Sequence, residues 1–186
     1  TTKYVKMGKD FKGGISDYKK IRDDIYRLLG DSNAAAVTTL IDYYGLPSDF
    51  PGKNNIHGTN CFDRVSYLEE QFAKNIAKER FIPFLTLHEF EAYLFASPEY
   101  LVEAFPELGN KEKKELIQIE KKFNSPEEIN DGKMTHPSVR IERLISTYDK
   151  VVHGTIIAKR IGLTTIKGRC PHLNKWVSTL TLIGGK

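Results

Sequence analysis

Three carboxylates stand where two apolar runs end. Asp42 closes the run Ala34-Ala35-Ala36-Val37-Thr38-Thr39-Leu40-Ile41, and Glu89 and Glu91 follow Phe81-Ile82-Pro83-Phe84-Leu85-Thr86-Leu87 within His88-Glu89-Phe90-Glu91. If both runs are parallel strands, the acids collect at the carboxyl ends of neighbours about 4.8 Å apart, the edge at which open α/β sheets bind ligands. Oxygen-only ligands suit Mg²⁺ or Mn²⁺ rather than zinc. Such an ion could orient a phosphodiester, lower the pKa of a water and offset charge on a leaving oxygen. The same acids have a structural use, because carboxylates after strands cap helices and Glu89 or Glu91 can open a helix ending near Phe95.

Other polar groupings are incomplete. His88-Glu89 starts like a zinc-protease helix motif, but position 92 is Ala where the second His is required. Cys170-Pro171-His172, and Cys61 with His57, lack the partner pair of a zinc finger and read better as packed side chains. Gly13-Gly14 before a helix suits a tight turn, or backbone N–H groups offered to a phosphate without the phosphate-loop lysine. Arg140, Arg143, Lys159, Arg160, Lys167 and Arg169 give the C-terminal half a basic bias, which would hold a nucleic-acid backbone or simply be solvated.

The elements that must position these groups follow from periodicity. Thr2 to Met7 alternates like a strand. Tyr18, Ile21, Ile25, Leu28 and Leu29 recur at helical spacing up to Gly30, with Ser16 or Asp17 as cap. The small and β-branched run 34–41 predicts a central strand covered on both faces. A loop of about twenty residues follows, and one that long is functional or mobile. Val65, Leu68, Phe72, Ile76 and Ala77 then mark a helix before the run 81–87, which completes a βαβ crossover with parallel strands. Pro83 cannot donate to a ladder, so the second strand is expected at an edge or to start late. Beyond it, short helices are predicted near 98–105, 111–123, 137–148, 151–160 and 171–181. The run from Glu112 to Lys122 has mixed sign and reads as a solvated helix face.

The expected architecture is therefore α/β: a small, mostly parallel sheet with flanking helices over residues 1–96, and a helical part over 97–186 packed on it. With 186 residues, 40% hydrophobic and 28% charged, size calls for no disulfide or structural metal. No window approaches the ~20 apolar residues of a membrane span. Two distant cysteines fit a reducing cytoplasm. A net charge of +4 favours an anionic partner if the basic residues share a face. The start Thr1-Thr2-Lys3-Tyr4 has neither an initiator Met nor a signal core, as in a chain that enters partway through a fold.

Several segments resemble the bacterial family called domain of unknown function 4276: Thr38-Thr39-Leu40-Ile41-Asp42-Tyr43-Tyr44-Gly45-Leu46-Pro47, Asp49-Phe50-Pro51-Gly52, Phe81-Ile82-Pro83-Phe84, Leu87-His88-Glu89-Phe90-Glu91-Ala92, Ile161-Gly162-Leu163 and Cys170-Pro171-His172-Leu173-Asn174-Lys175-Trp176. That family looks related to Toprim domains of topoisomerases, primases and overcoming-lysogenization-defect nucleases, often encoded beside an ABC-type ATPase in phage-defence loci. The resemblance implies a Mg²⁺-dependent nuclease effector. Asp42 would match the acid ending the central Toprim strand, with Glu89 or Glu91 as further metal ligand and Glu91 as ligand or base. His88, Arg140, Arg169 and His172 would contact the nucleic acid. Position 44 is Tyr where a Toprim Asp-x-Asp has its second Asp, and the Glu that a Toprim site carries after its first strand would, by resemblance to family members, fall before Thr1. A non-catalytic subunit that docks on the ATPase or on nucleic acid, and a hydrolase of small phosphates, are the alternative readings.

Overall fold

The computed structural model describes residues 17–130 and 135–185. The expected strand over 2–7 and the Gly13-Gly14 turn lie outside these residues.

Helix α1 spans Tyr18–Leu29. Asp17 caps it by accepting the Lys20 N–H, and it buries Tyr18, Ile21 and Ile25. Helix α2 spans Cys61–Ile76, is capped by Asn60, and buries Val65, Leu68, Phe72 and Ile76. Both helices match the apolar spacing of the sequence, because one face must enter the core.

Each expected strand is divided in two. Along the first run lie β1 (Val37–Thr38) and β2 (Ile41–Asp42); along the second lie β3 (Phe81–Ile82) and β4 (Leu85–Thr86). β1 pairs with β3 and β2 with β4, both parallel, as a βαβ crossover requires. The break falls at Pro83, which has no N–H to give. There the Thr39 hydroxyl replaces the ladder, donating to the Phe84 carbonyl at 3.0 Å and accepting the Phe84 N–H at 3.0 Å. A hydroxyl can do both. Thr38 adds a bond to the Ile82 carbonyl at 2.7 Å. Pro83 therefore interrupts the strand instead of delaying its start. Full cover on both faces is not found either, since Val37 is buried but Leu40 is 51% exposed.

A 3-10 helix, Phe90–Ala96, follows β4 and is buried almost throughout. Helices α3 (Glu99–Ala104), α4 (Asn110–Glu120) and α5 (Pro137–Leu144) come next, then a π-helical turn over Lys150–Gly154 that leads into α6 (Thr155–Ile161). Helices α7 (Leu163–Arg169) and α8 (Pro171–Gly184) complete the order. The sequence reading missed α7, whose single buried residue, Ile166, leaves no apolar period to detect. Gly162, at φ 82°, makes the turn between α6 and α7 that a side chain would strain.

Two hydrophobic clusters result. One joins α1 and α2 to the strands through Ile25, Leu68, Phe72, Phe81 and Leu85; the other joins the 3-10 helix to α3–α8 through Phe95, Leu101, Leu116, Ile141, Ile157 and Leu173. Each fully buried Leu or Phe contributes about 1.5–3 kcal/mol. The start of α8 is tied down by Glu127, wholly buried, whose carboxylate accepts the His172 and Leu173 N–H groups at 2.9 and 3.0 Å. The chain is thus mixed α/β with parallel strands. Among the described residues no helix is long and apolar enough to cross a membrane.

A candidate acidic site at the strand ends

Asp42 is the last residue of β2, and its register partner is Thr86, the last residue of β4. Two residues beyond Thr86 the chain turns sharply. His88 has φ 65°, a left-handed conformation that costs a non-glycine residue about 1–3 kcal/mol and clusters at functional sites. The turn brings Glu89 and Glu91 back beside Asp42. The Asp42 carboxylate accepts the Phe90 N–H, so it also serves the start of the 3-10 helix.

The three acids share one field. Burial, and then the charge of Glu89, push Asp42 up to about 6, against the Phe90 N–H and the Lys150 ammonium. Burial pushes Glu91 up to about 7; Lys150 opposes this, while Glu89 and Asp42 add to it. Glu89 and Glu91 are themselves buried, at 7% and 5% exposure.

Glu89 is the most constrained of the three. Its Oε1 accepts the Ser138 N–H and lies 3.2 Å from His136 Nδ1, and its Oε2 accepts the Ser138 hydroxyl at 3.0 Å. Lys150 stands over the group, its Nζ 3.7 Å from Glu89, 3.9 Å from Glu91 and 3.8 Å from Glu142. His88 Nδ1 meets the Asn130 side-chain amide at 3.0 Å. The exposed Tyr44 ring lies 5.7 Å from both the His88 and His136 rings. Tyr148, buried beside the acids, carries a hydroxyl without a hydrogen-bond partner, and burial followed by Glu91 raises its phenol.

Whether a divalent ion fits depends on the donors left over. Among the described residues no three His, Cys, Asp or Glu side chains are gathered as a protein cage for a metal. Mg²⁺, however, is commonly held by one or two carboxylates, with water and substrate phosphates completing its octahedron. Asp42 and Glu91 fit that arrangement, because a cation relieves the burial and mutual repulsion that raise both. Glu89 does not fit as readily, since both its oxygens are engaged.

Of the residues expected to contact substrate, His88 joins this site. Arg140 lies on α5, two residues after Ser138, where it donates to the Thr135 carbonyl and covers the Phe123 ring at 5.7 Å. Arg169 is ion-paired with Glu120 at the end of α7. His172 belongs to a different group: its Nε2 is 3.0 Å from Glu69, and its ring stacks on Phe84. The basic bias of the C-terminal half is largely absorbed, with Arg143 on Glu115 and Arg160 on Glu103. Cys170 is wholly buried and burial raises its thiol far above normal; burial also raises Cys61.

Sequence reasoning did not find His136, Ser138, Glu142 or Lys150. They come from a loop, α5 and the π-helical turn, far along the chain from the strands. The one local signal was Pro137 after His136, which marks a helix start.

No curated protein and no solved structure matches the chain. One family model does, over residues 2–181. The chain belongs to the family described as domain of unknown function 4276.

Proposed function

We propose that this chain is a Toprim-like phosphodiester hydrolase acting on nucleic acid with Mg²⁺ or Mn²⁺. The observation that carries the reading is the convergence of Asp42 and Glu91 at the carboxyl ends of two paired parallel strands, with a lysine ammonium over them. In this reading Asp42 and Glu91 hold the ion, and Glu89, locked by Ser138, orients the group without binding. The ion would supply positive charge at the phosphate and polarise the attacking water. Lys150, half-exposed, is free to leave its carboxylates for a phosphate oxygen and offset the charge that develops as the phosphorus–oxygen bond breaks. The products are a phosphate monoester and the freed hydroxyl.

The family resemblance extends the reading to a cytoplasmic effector of bacterial anti-phage defence that works with an ABC-type ATPase. Co-expression and co-purification with a candidate ABC-type ATPase would test that partnership; separate elution at micromolar concentration would refute it.

Calorimetric titration of Mg²⁺ and Mn²⁺ into the protein and its Asp42→Ala variant tests the hydrolase. Binding lost in the variant, together with metal-dependent cleavage of polynucleotide, supports it. Turnover of mononucleotides or phosphate esters with polynucleotides left intact would point to a small-phosphate hydrolase. A second reading, a non-catalytic module that docks on the ATPase or on nucleic acid, is favoured by Lys150 occupying the acidic group and by the lack of a three-ligand cage among the described residues. It predicts no binding of either ion and partner binding that survives Asp42→Ala.

A further inference from the structure

A pocket opens at the strand break, lined by residues outside the acidic group. It has a volume of about 300 Å³, and its lining includes Glu69, Pro83, Phe84, His172, Lys175 and Trp176. The floor is the Ile82-Pro83-Phe84 crossing, and the walls come from α2 and α8.

The pocket is built, not loose. The Phe84 and Trp176 rings stack with centroids 4.3 Å apart and planes 14° from parallel, and the His172 and Phe84 rings stack at 5.0 Å. Trp176 is pinned at its edge, its Nε1 donating to the Thr38 hydroxyl at 2.8 Å. Glu69 is pinned too, its Oε1 accepting the Leu85 N–H at 2.8 Å and meeting His172 Nε2 at 3.0 Å. Phe84 is buried at 1% exposure, while Trp176 is half-buried and Lys175 is exposed. Aromatic surface, a fixed carboxylate and a rim lysine are thus offered together.

From this arrangement we infer that the Trp176 pocket takes one unstacked base of a single-stranded nucleic acid. The indole supplies a flat surface, and base–aromatic stacking is the common device of single-strand binding. Glu69 supplies acceptor capacity for an exocyclic amine, and Lys175 supplies a cation for the adjoining phosphate. Position supports the assignment. Phe84 stands two residues before Thr86, the register partner of Asp42, so the Cα atoms of Phe84 and Thr86 are no more than about 7 Å apart. A strand with a base in the pocket would bring a nearby phosphodiester to the carboxylates. The inference takes its ligand class from the nucleic-acid reading above, yet it concerns binding without cleavage.

Trp176 is the only tryptophan of the chain, so its emission reports on this pocket alone. The whole chain, in EDTA to prevent metal-dependent cleavage, is titrated with a short mixed-sequence single-stranded oligonucleotide. The expected result is saturable quenching, a midpoint raised at least about fivefold by Lys175→Glu and by Glu69→Gln, and little competition from the same sequence as duplex. No saturable quenching, equal competition by duplex, or unchanged midpoints in both variants would overturn the inference. So would quenching by choline or arginine in place of the oligonucleotide, which would make this an aromatic site for cations. Cleavage is assayed separately in Mg²⁺. Cleavage without quenching leaves the hydrolase standing and removes the pocket; quenching without cleavage does the reverse.

Discussion

Among the described residues two buried carboxylate centres stand out, and they are satisfied in opposite ways. Glu127 is completely buried and its pKa is raised by burial, yet its two oxygens each receive a backbone N–H from the first turn of α8. At the strand ends, Asp42 receives one backbone N–H, Glu91 receives only its own, and Glu89 adds its charge to both. A raised carboxyl therefore does not by itself mark function. What separates the two centres is whether backbone donors saturate the oxygens. Saturation makes Glu127 a helix anchor, whereas the unsaturated pair retains capacity for an added cation.

The largest effects expected are a loss of activity at one centre and a loss of stability at the other. Asp42→Ala should reduce metal-dependent cleavage by at least about 100-fold, as loss of an electrostatic catalytic group does, with the urea midpoint unchanged or higher. If cleavage persists in that variant, the strand-end acids are not the catalytic centre. Glu127→Ala strips the acceptors from two buried N–H groups at about 1–3 kcal/mol each. For a chain of this size a loss of about 3 kcal/mol lowers Tm by roughly 6–12 °C. Metal binding by the folded Glu127→Ala protein should remain intact. A stable Glu127→Ala protein would erase the contrast between the centres.

The extent to which this contrast was readable before folding follows from its residues. Asp42, Glu89 and Glu91 were visible because they end apolar runs, and the parallel pairing of those runs follows from the helical crossover between them. α1 and α2 were visible for the same reason, since each buries one periodic stripe. His136, Ser138 and Lys150 were not visible. They reach the site only because α5 and the π-helical turn pack against the 3-10 helix, and nothing local in their segments encodes that packing. Glu127 looked like any acid beside Glu128, because its role depends on the first turn of α8, more than forty residues away. His172 is expected from the resemblance to contact nucleic acid; the stack with Phe84 and the bond to Glu69 place it apart from the acidic group, in the Trp176 pocket, which no local pattern announces. The division of both strands was half legible, since Pro83 announces a missing donor but not that the Thr39 hydroxyl will replace it.

An intermediate effect concerns pH. Asp42 and Glu91 have folded values near 6 and 7, above their ordinary values near 4. The folded state therefore binds more protons than the unfolded state between about pH 4 and 7, and stability from these groups falls as pH rises through that window. In EDTA, Tm should drop by a few degrees from pH 5 to pH 7.5 through these groups, and the drop should shrink in Asp42→Ala. Mg²⁺ added at pH 7.5 should recover it, because the ion binds the folded carboxylates in their charged form. A slope identical in wild type and Asp42→Ala would show that Asp42 carries no such strain.

The smallest effect sharpens the assignment of Glu89. Ser138→Ala removes the hydroxyl that holds Oε2 but leaves the Ser138 N–H on Oε1, so the cost to folding should be about 1 kcal/mol. A purely structural Glu89 predicts that small loss and nothing else. A Glu89 that orients the metal-binding pair predicts in addition a roughly tenfold weakening of Mg²⁺ binding, the scale on which partners behind a metal ligand act. Calorimetry and urea unfolding on the same variant separate the two. Unchanged Mg²⁺ affinity with reduced stability would reduce the metal-handling set to Asp42 and Glu91 and make Glu89, like Glu127, an anchor of the fold.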